Sequence, residues 1–239
     1  MGDADALHWL AELYSNGNGV KQDYNKAIEY FKKAAEKGYA SAYIQLGEMY
    51  YYGLGFNKSN DEAIKLYDKA FEIGNNDIKY QVAEKFEKCD GIANDDKRAF
   101  ELFKLIAEKG FVKTQIKLGE MYYKGIGVIH SKQKAIEWYS EAAKNGNEMD
   151  IYDIGKIYEN GESIDKDLYQ AFTYYSKSAE LGYRIAEIQL YEMMYYGQGC
   201  TQNKEKAVES LRRIYLEGGE DADLAQIALF NLEEYESIS

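Results

Sequence analysis

Histidine is the first residue type to test for chemistry, and this sequence contains two of them. His8 is followed one helical turn later by Glu12, a spacing that can place two metal ligands on one side of a helix. His130 has only Gln133 and Lys134 at a similar distance. Because a metal site needs a third ligand, and neither histidine has one nearby, we predict no metal site and interpret both as structural or surface residues.

The other residues that could take part in catalysis or ligand binding do not indicate a site either. Cys89 and Cys200 are too few for a disulfide framework and lack the neighbours of a zinc site, so we expect small buried or loop residues. The Gly-x-Gly pairs follow predicted helices rather than strands, which indicates turns and not a phosphate-binding loop. Residues 94–96, Asn-Asp-Asp, lack the spacing of a calcium loop and are predicted to cap a helix. We therefore predict no catalytic residue and no cofactor.

Composition restricts the classes of partner. The chain has 239 residues, 46% of them hydrophobic and 29% charged, which is typical of a folded protein. Its net charge of −12 repels phosphate backbones, so we expect no nucleic acid and either a basic partner or simple solubility. No stretch approaches the roughly 18 apolar residues of a membrane span, and the first residues do not resemble a signal peptide. We expect no membrane insertion and a cytoplasmic location.

An internal repeat of 36 residues organises the chain. Glycine returns at this interval, as Gly38, Gly74, Gly110, Gly146, Gly182 and Gly218. Alanine does the same, as Ala27, Ala63, Ala99, Ala135, Ala171 and Ala207. Proline is absent, which favours uninterrupted helices because proline removes a backbone donor and clashes inside a helix.

Residues 40–75 serve as the reference repeat. Apolar residues at helical spacing predict two amphipathic helices, separated by the breaker Gly53-Leu54-Gly55. Gly74 is predicted to end the second helix in a left-handed conformation. Cys89 and Ser163 interrupt the glycine pair in the third and fifth repeats. We predict six repeats over residues 1–219 and a final capping helix over 220–239.

Two apolar columns are predicted to form the core between the helices. One column consists of Leu10, Leu46, Val82, Leu118, Ile154 and Leu190. The other consists of Tyr14, Tyr50, Phe86, Tyr122, Tyr158 and Met194.

The pattern A-x3-L-G-x2-Y-x2-G-x-G, followed by K-A-I-x2-Y-x-K-A-A-x2-G, resembles the Sel-1-like repeat family. It is clearest from Ala42 to Gly55, and Lys117 to Gly146 matches nearly as well, with Thr114 in place of the leading alanine. The resemblance implies an all-α fold, a right-handed α/α superhelix of helix-turn-helix repeats, and a scaffold or adaptor that binds other proteins. A cysteine-rich subgroup of the family is reported to bind penicillin. This chain lacks the two cysteines per repeat of that subgroup, so an enzyme of the penicillin-binding type is the weakest alternative.

The same resemblance implies that the first helix of each repeat lines a concave groove. In the reference repeat this places Ser41, Ile44, Glu48, Tyr51 and Tyr52 toward the groove. The Glu48 column reads Glu12, Glu48, Glu84, Glu120, Lys156 and Glu192. The neighbouring tyrosines are Tyr51, Tyr52, Tyr80, Tyr123, Tyr152, Tyr195 and Tyr196.

We hypothesise that these acidic and aromatic residues bind a basic segment of another protein. An immunity protein or inhibitor that masks a basic toxin is an alternative with the same charge logic. The simpler interpretation is that glutamate is a good exposed helix former and that a chain with 24 tyrosines carries them everywhere.

Overall fold

The computed structural model of the protein describes residues 2–88, 96–161, 164–219 and 221–238. Cys89, Asn94, Asp95 and Ser163 lie outside the described residues, so the expectations for them stay predictions. The described segments contain thirteen α-helices and no strand. None of these helices combines the length and the apolar character that crossing a membrane requires.

The chain forms an α-solenoid in which successive helices pair as hairpins, and it divides into two compact units. Unit 1 comprises Met1–Phe111 with Ile126–Val128, and unit 2 comprises Val112–Gly125 with Ile129–Ser239. Unit 1 contains α1 (Gly2–Asn16), α2 (Tyr24–Glu36), α3 (Ala40–Tyr52), α4 (Asn60–Ile73), α5 (Asn76–Lys88) and α6 (Asp96–Ala107). Unit 2 contains α7 (Val112–Lys124), α8 (Lys132–Asn145), α9 (Glu148–Asn160), α10 (Leu168–Glu180), α11 (Arg184–Tyr196), α12 (Lys204–Glu217) and α13 (Ala222–Ile238).

We call the first helix of each repeat helix A and the second helix B. The alanine column of helix B is fully buried in all six repeats, as predicted. Most of the two predicted helix-A columns is buried as well, and the partly exposed members are Leu10, Tyr14, Tyr50, Leu190 and Met194.

A third core column lies on helix B and explains the glycines inside helix A. Its members are Phe31, Tyr67, Phe103, Tyr139, Tyr175 and Leu211, all at most 1% exposed. A Cβ atom at Gly47 would lie 2.5 Å from Cε1 of Tyr67, and one at Gly119 would lie 2.5 Å from Cε1 of Tyr139. These glycines are therefore needed for space, because a side chain there would overlap the tyrosine ring.

The N-cap residue of helix B anchors the preceding loop through two hydrogen bonds. The side chains of Asp23, Ser59, Ser131, Asp167 and Asn203 each accept a hydrogen bond from the backbone N–H three residues later, in the manner of an N-cap. Their own backbone N–H groups donate to a carbonyl oxygen of helix A over 2.8–3.0 Å. The loop between the two helices is thus held at its end by both helices.

The prediction for Gly74 is wrong. Its φ is −74°, in extended backbone, and Gly146 behaves in the same way with a φ of −81°. At both junctions an asparagine follows the glycine; Asn147 caps α9, and the Asn75 side chain accepts a hydrogen bond from the backbone N–H of Ile78. Glycine is required at position 74 by crowding instead, since a Cβ there would lie 2.5 Å from Cγ2 of Ile78. Gly38, Gly110, Gly182 and Gly218 do adopt positive φ.

Candidate partner-binding site

The acidic column of unit 1 is partly neutralised within the protein. Glu12, Glu48 and Glu84 are all partly exposed, on α1, α3 and α5. Glu48 forms an ion pair with Lys85 of α5, so its charge is already compensated in the free protein. Unit 1 therefore presents a weaker negative surface than the sequence alone indicates.

Glu12 has a buried histidine, not a lysine or arginine, as its neighbour. Its Oε1 atom lies 3.4 Å from Nε2 of His8. Burial lowers the pKa of His8, although Glu12 and Asp5 act in the opposite direction, and a neutral imidazole leaves the carboxylate uncompensated. The His8 ring lies 5.3 Å from the ring of Phe31 and 4.7 Å from that of Tyr39, which fits the structural role predicted for it.

The column changes character in unit 2. Nζ of Lys117 lies 3.8 Å from Glu120, a loose ion pair with the glutamate 32% exposed. Lys156 is exposed, and its Nζ lies 5.6 Å from the centre of the Tyr152 ring. Glu192, on α11, is partly buried and has no ion-pair partner among the residues that the structure describes.

Three of the predicted contact tyrosines are buried. Tyr51 and Tyr80 are 7% exposed, and Tyr195 is 1% exposed. The Tyr80 ring packs 5.2 Å from that of Phe103 on helix B, and the Tyr195 hydroxyl donates to the carbonyl oxygen of Leu232 on α13 over 3.5 Å. The prediction that these residues offer surface to a partner is wrong, because rings of this size gain more by filling the seams between helices. Ile44, at 3% exposure, is part of the core for the same reason.

The remaining tyrosines do reach the surface. Tyr52 is 63% exposed, and Tyr123, Tyr152 and Tyr196 are partly exposed. The Tyr123 hydroxyl donates to Asp165 over 3.4 Å. These four tyrosines, and not the whole predicted set, can supply contact area.

Unit 2 brings together an acidic cluster that sequence reasoning missed in part. We call it the α9–α11 cluster, and it consists of Tyr152, Asp153, Glu159, Gln189 and Glu192. Glu159 accepts hydrogen bonds from the Tyr175 hydroxyl over 2.6 Å and from Nε2 of Gln189 over 3.3 Å. Glu159 occupies the position that is tyrosine in the second, fourth and sixth repeats and glutamate, as Glu87, in the third, so its column alone gave only a weak signal.

Three groups of the cluster have raised pKa values, although Asp153 is exposed at the surface. Burial, and then the charge of Glu159, raise the pKa of Glu192. Burial also raises the pKa of Asp153, with Lys156 acting in the opposite direction. The pKa of Tyr152 is raised by burial and by its neighbours, which include Glu159, Asp153 and Glu192. A cation placed among these groups would relieve the strain of holding their charges together.

The other chemically interesting residues have ordinary surroundings. His130 is exposed, with its ring 6.0 Å from that of Tyr123. Cys200 is a free thiol in the loop after α11, and burial raises its pKa. Across the described segments, no group of three or more His, Cys, Asp or Glu side chains could hold a metal ion.

Comparison with solved structures finds proteins of the same fold. A protective antigen of uropathogenic Escherichia coli with an SLR fold is 29% identical over 95% of this chain and 48% of its own, with a TM-score of 0.58. A Sel1 repeat protein from Oxalobacter formigenes is 26% identical over 94% of this chain and 66% of its own, with a TM-score of 0.56. An immunity protein from Pseudomonas aeruginosa is 20% identical over 96% of this chain and 81% of its own, with a TM-score of 0.42. The chain thus spans about half to two thirds of the first two relatives.

A comparison with curated proteins found no match. The Sel1 repeat family matches this sequence six times, at residues 4–39, 40–75, 81–111, 112–147, 151–183 and 183–209. Proteins with this repeat generally act as scaffolds for protein–protein interaction and are typically not enzymes. The matched segments cover most of the chain, and together with the stacked helix pairs of the fold they show that it belongs to the Sel1 repeat family.

Proposed function

We propose that this protein is an interaction scaffold and that the α9–α11 cluster of unit 2 binds a basic segment of a partner protein. The observation that carries the proposal is Glu192, a partly buried carboxylate near Glu159 with no cationic partner in the described part of the chain. An arginine or lysine from a partner would complete this site.

Binding would be favourable because the free protein already holds the Glu192 carboxylate in an environment that disfavours its charge. Partial burial costs hydration of the Glu192 carboxylate, and the nearby charge of Glu159 adds repulsion. A guanidinium about 4 Å away would gain on the order of 1–4 kcal/mol, depending on how far water screens the pair. Tyr152 and Tyr196 supply the stiff, amphipathic contact area that commonly surrounds such an anchor.

The other carboxylates of the Glu48 column are expected to attract a basic partner during association rather than to contact it in the complex. Glu48 and Glu120 have lysine neighbours, whereas the neighbour of Glu12 is His8, whose pKa is lowered by burial. With a net charge of −12, the chain attracts basic partners over a distance of about one Debye length, roughly 8 Å at physiological salt. Affinity should therefore fall as salt is added, while the preference for the cluster should persist.

The test uses a fluorescein-labelled Arg-Gly repeat peptide, with a Gln-Gly peptide as the uncharged counterpart, and fluorescence anisotropy. The site variant is Glu159→Gln/Glu192→Gln. The matched control is Glu137→Gln/Glu209→Gln, which removes the same charge from exposed positions on helix B of unit 2.

We expect the site variant to bind the arginine peptide roughly tenfold more weakly, which corresponds to about 1.4 kcal/mol. The control should change affinity much less, because exposed charges are screened. Equal weakening in both variants would show that the peptide responds only to net charge, and the proposed site would be wrong.

An immunity or inhibitor role is the second candidate, and the acidity of the chain is what favours it. The partner would then be a folded basic toxin rather than an extended segment, and charge complementarity would speed its association. Inhibition of a basic nuclease or similar toxin from the same organism, lost in the Glu159→Gln/Glu192→Gln variant, would support this role. Binding of the arginine peptide without any such inhibition would favour the adaptor.

A further inference from the structure

Glu159, on α9, is held by donors from two neighbouring helices. The Tyr175 hydroxyl of α10 donates to its Oε2 atom over 2.6 Å, and Nε2 of Gln189 on α11 donates to its Oε1 atom over 3.3 Å. The first of these bonds has the length expected when a hydroxyl donates to an ionised carboxylate. Because each oxygen has a donor from a different helix, the carboxylate has one preferred orientation, which keeps it against α11.

Glu192 lies beside this oriented carboxylate. It follows Gln189 by three residues on α11, and residues three apart on a helix have Cβ atoms about 5–6 Å apart. The Gln189 amide reaches Glu159, so Glu192 and Glu159 are neighbours across the two helices. Burial, and then the charge of Glu159, raise the pKa of Glu192, which agrees with this placement.

The Tyr175 ring has little room to move, so its hydroxyl is a fixed donor. Tyr175 is fully buried, at a position of helix B that is aromatic in five of the six repeats. The ring lies against Gly155 of α9, where a Cβ atom would be 2.7 Å from both Cδ1 and Cε1. It also packs against Tyr152, with the ring centres 5.2 Å apart. A donor built on packed helices holds its acceptor more precisely than a donor on a loop would.

Only the fifth repeat combines a carboxylate and a tyrosine at these two positions. The third repeat has the glutamate, as Glu87, but its helix B carries phenylalanine, Phe103. The second and fourth repeats have tyrosine at both positions, and the first and sixth have no tyrosine on helix B. Core packing explains a large apolar side chain on helix B in every repeat, but it does not explain why a hydroxyl meets a carboxylate in this one.

We propose that Tyr175 is a positioning residue of the α9–α11 cluster, whose hydroxyl fixes the Glu159 carboxylate beside Glu192 so that a cationic side chain of the partner meets two negative charges together. The inference rests on the proposed function, because it assigns Tyr175 a part in that binding. Tyr175 is buried and acts through Glu159 without touching the partner. Without the hydroxyl, the carboxylate would be free to turn toward water and away from Glu192, and ordering it again would oppose binding.

The test variant is Tyr175→Phe, which removes the hydroxyl and keeps the ring. Phe31 and Phe103 show that this core position accepts phenylalanine. The matched control is Tyr139→Phe in the fourth repeat, where Tyr123, and not a glutamate, occupies the position of Glu159. Circular dichroism and thermal unfolding show whether the helices of each variant are intact.

Binding of the fluorescein-labelled Arg-Gly peptide gives the first readout. We expect Tyr175→Phe to weaken binding roughly threefold, since one hydrogen bond to a carboxylate of the site is lost, and Tyr139→Phe to leave binding unchanged. In the Glu159→Gln background, Tyr175→Phe should have no further effect, because the hydroxyl acts through that carboxylate. A ring with a purely structural role would instead weaken binding equally in both backgrounds.

Titration of Glu192 gives a second readout that needs no peptide. Carbon NMR of the side-chain carboxyl group measures its pKa in the parent and in each variant. Release of Glu159 should lower the pKa of Glu192 toward its ordinary value, and burial should keep it from reaching that value. Tyr139→Phe should leave the titration of Glu192 unchanged.

The two readouts distinguish a failure of this inference from a failure of the proposed function. A parent that does not bind the peptide, although Tyr175→Phe lowers the pKa of Glu192, would refute the proposed function and support the fixing of Glu159. An unchanged titration of Glu192 in Tyr175→Phe, or an equal loss of affinity in the Glu159→Gln background, would overturn the positioning role. If Tyr175→Phe unfolds, Gln189→Met removes the other donor and is judged by the same two readouts, with a smaller effect expected because its bond is longer.

Discussion

Replacing Gly47 by alanine tests the packing rule that holds each hairpin together. Gly47 lies inside α3, where alanine would ordinarily favour the helix by about 1 kcal/mol. Its absent Cβ would lie 2.5 Å from Cε1 and 2.9 Å from Cδ1 of Tyr67. Carbon atoms pack at about 3.5–4.0 Å, so the overlap is about 1 Å with a ring that is fully buried.

The expected cost follows from these two opposing effects. Forcing an extra carbon into a packed core costs about 1–3 kcal/mol, against a gain in helix propensity of about 1 kcal/mol. We expect Gly47→Ala to lower the free energy of unfolding by up to about 2 kcal/mol net. For a chain of this size that corresponds to a fall in Tm of up to about 8 °C.

The repeats themselves indicate how to relieve the clash. Where helix A carries alanine at this position, as Ala11 and Ala83 do, the residue equivalent to Tyr67 is phenylalanine, Phe31 or Phe103. The double variant Gly47→Ala/Tyr67→Phe reproduces that pairing. Without its hydroxyl the ring has room to shift, so the double variant should be about 1 kcal/mol more stable than the sum of the two single changes implies.

Urea unfolding followed by circular dichroism measures the cycle. Ala83→Gly is the control for helix propensity, since it makes the reverse change at the equivalent position of α5 and should cost about 1 kcal/mol without any clash. If Gly47→Ala is more stable than the parent, the ring moves aside freely and the packing rule is wrong. Additive single changes would show that the hydroxyl has no part in it.

Three further predictions concern single positions. Glu192→Gln should raise Tm by about 1–2 °C at pH 7, because the pKa of Glu192 is raised in the folded protein and its charge opposes folding above that pKa. The gain in Tm should vanish as the pH falls toward the ordinary pKa of 4.5, and a gain that does not depend on pH would contradict the reasoning. Ser131→Ala should cost about 1 kcal/mol in urea unfolding by removing the N-cap of α8, while Ser131→Asp should cost little. Gly74→Ala should lower Tm although its φ is negative, whereas Gly38→Asn should be tolerated because its φ is +83° and the space beside it is open; the opposite order would refute the distinction between crowding and backbone conformation.

The fold was predictable because each repeat states the same pattern again. Six copies of an alanine and a glycine at one interval fix the positions of the helices more firmly than any single segment could. The conformation of Gly74 was not predictable from its column. It depends on the next residue, since Asn75 forms a cap where the junction at Gly38 has a tyrosine, and glycine serves a different purpose in the two settings.

The candidate site was predictable only in outline. Helix periodicity places a residue on a face but does not show whether a large ring stays at the surface. Tyr52 does, whereas its neighbour Tyr51 fills a seam and meets the Tyr52 ring edge-on at a distance of 4.8 Å. Ion pairs between helices, such as that of Glu48 with Lys85, depend on how far side chains reach across adjacent repeats. They could not be predicted from the sequence either.

Repetition also separates the residues that pack from those that can recognise a partner. A residue type shared by all copies is explained by the hairpin that all copies form, so it carries little information about binding. Exposed or half-buried departures from a column need another explanation. Lys156 stands where the other five repeats have glutamate, and Glu159, like Glu87 in the third repeat, stands where the second, fourth and sixth repeats have tyrosine. The fifth repeat combines the two departures, on the helix that holds Tyr152. This combination supports the proposal that α9 and its neighbour α11, rather than an acidic surface spread evenly over six repeats, bind the partner.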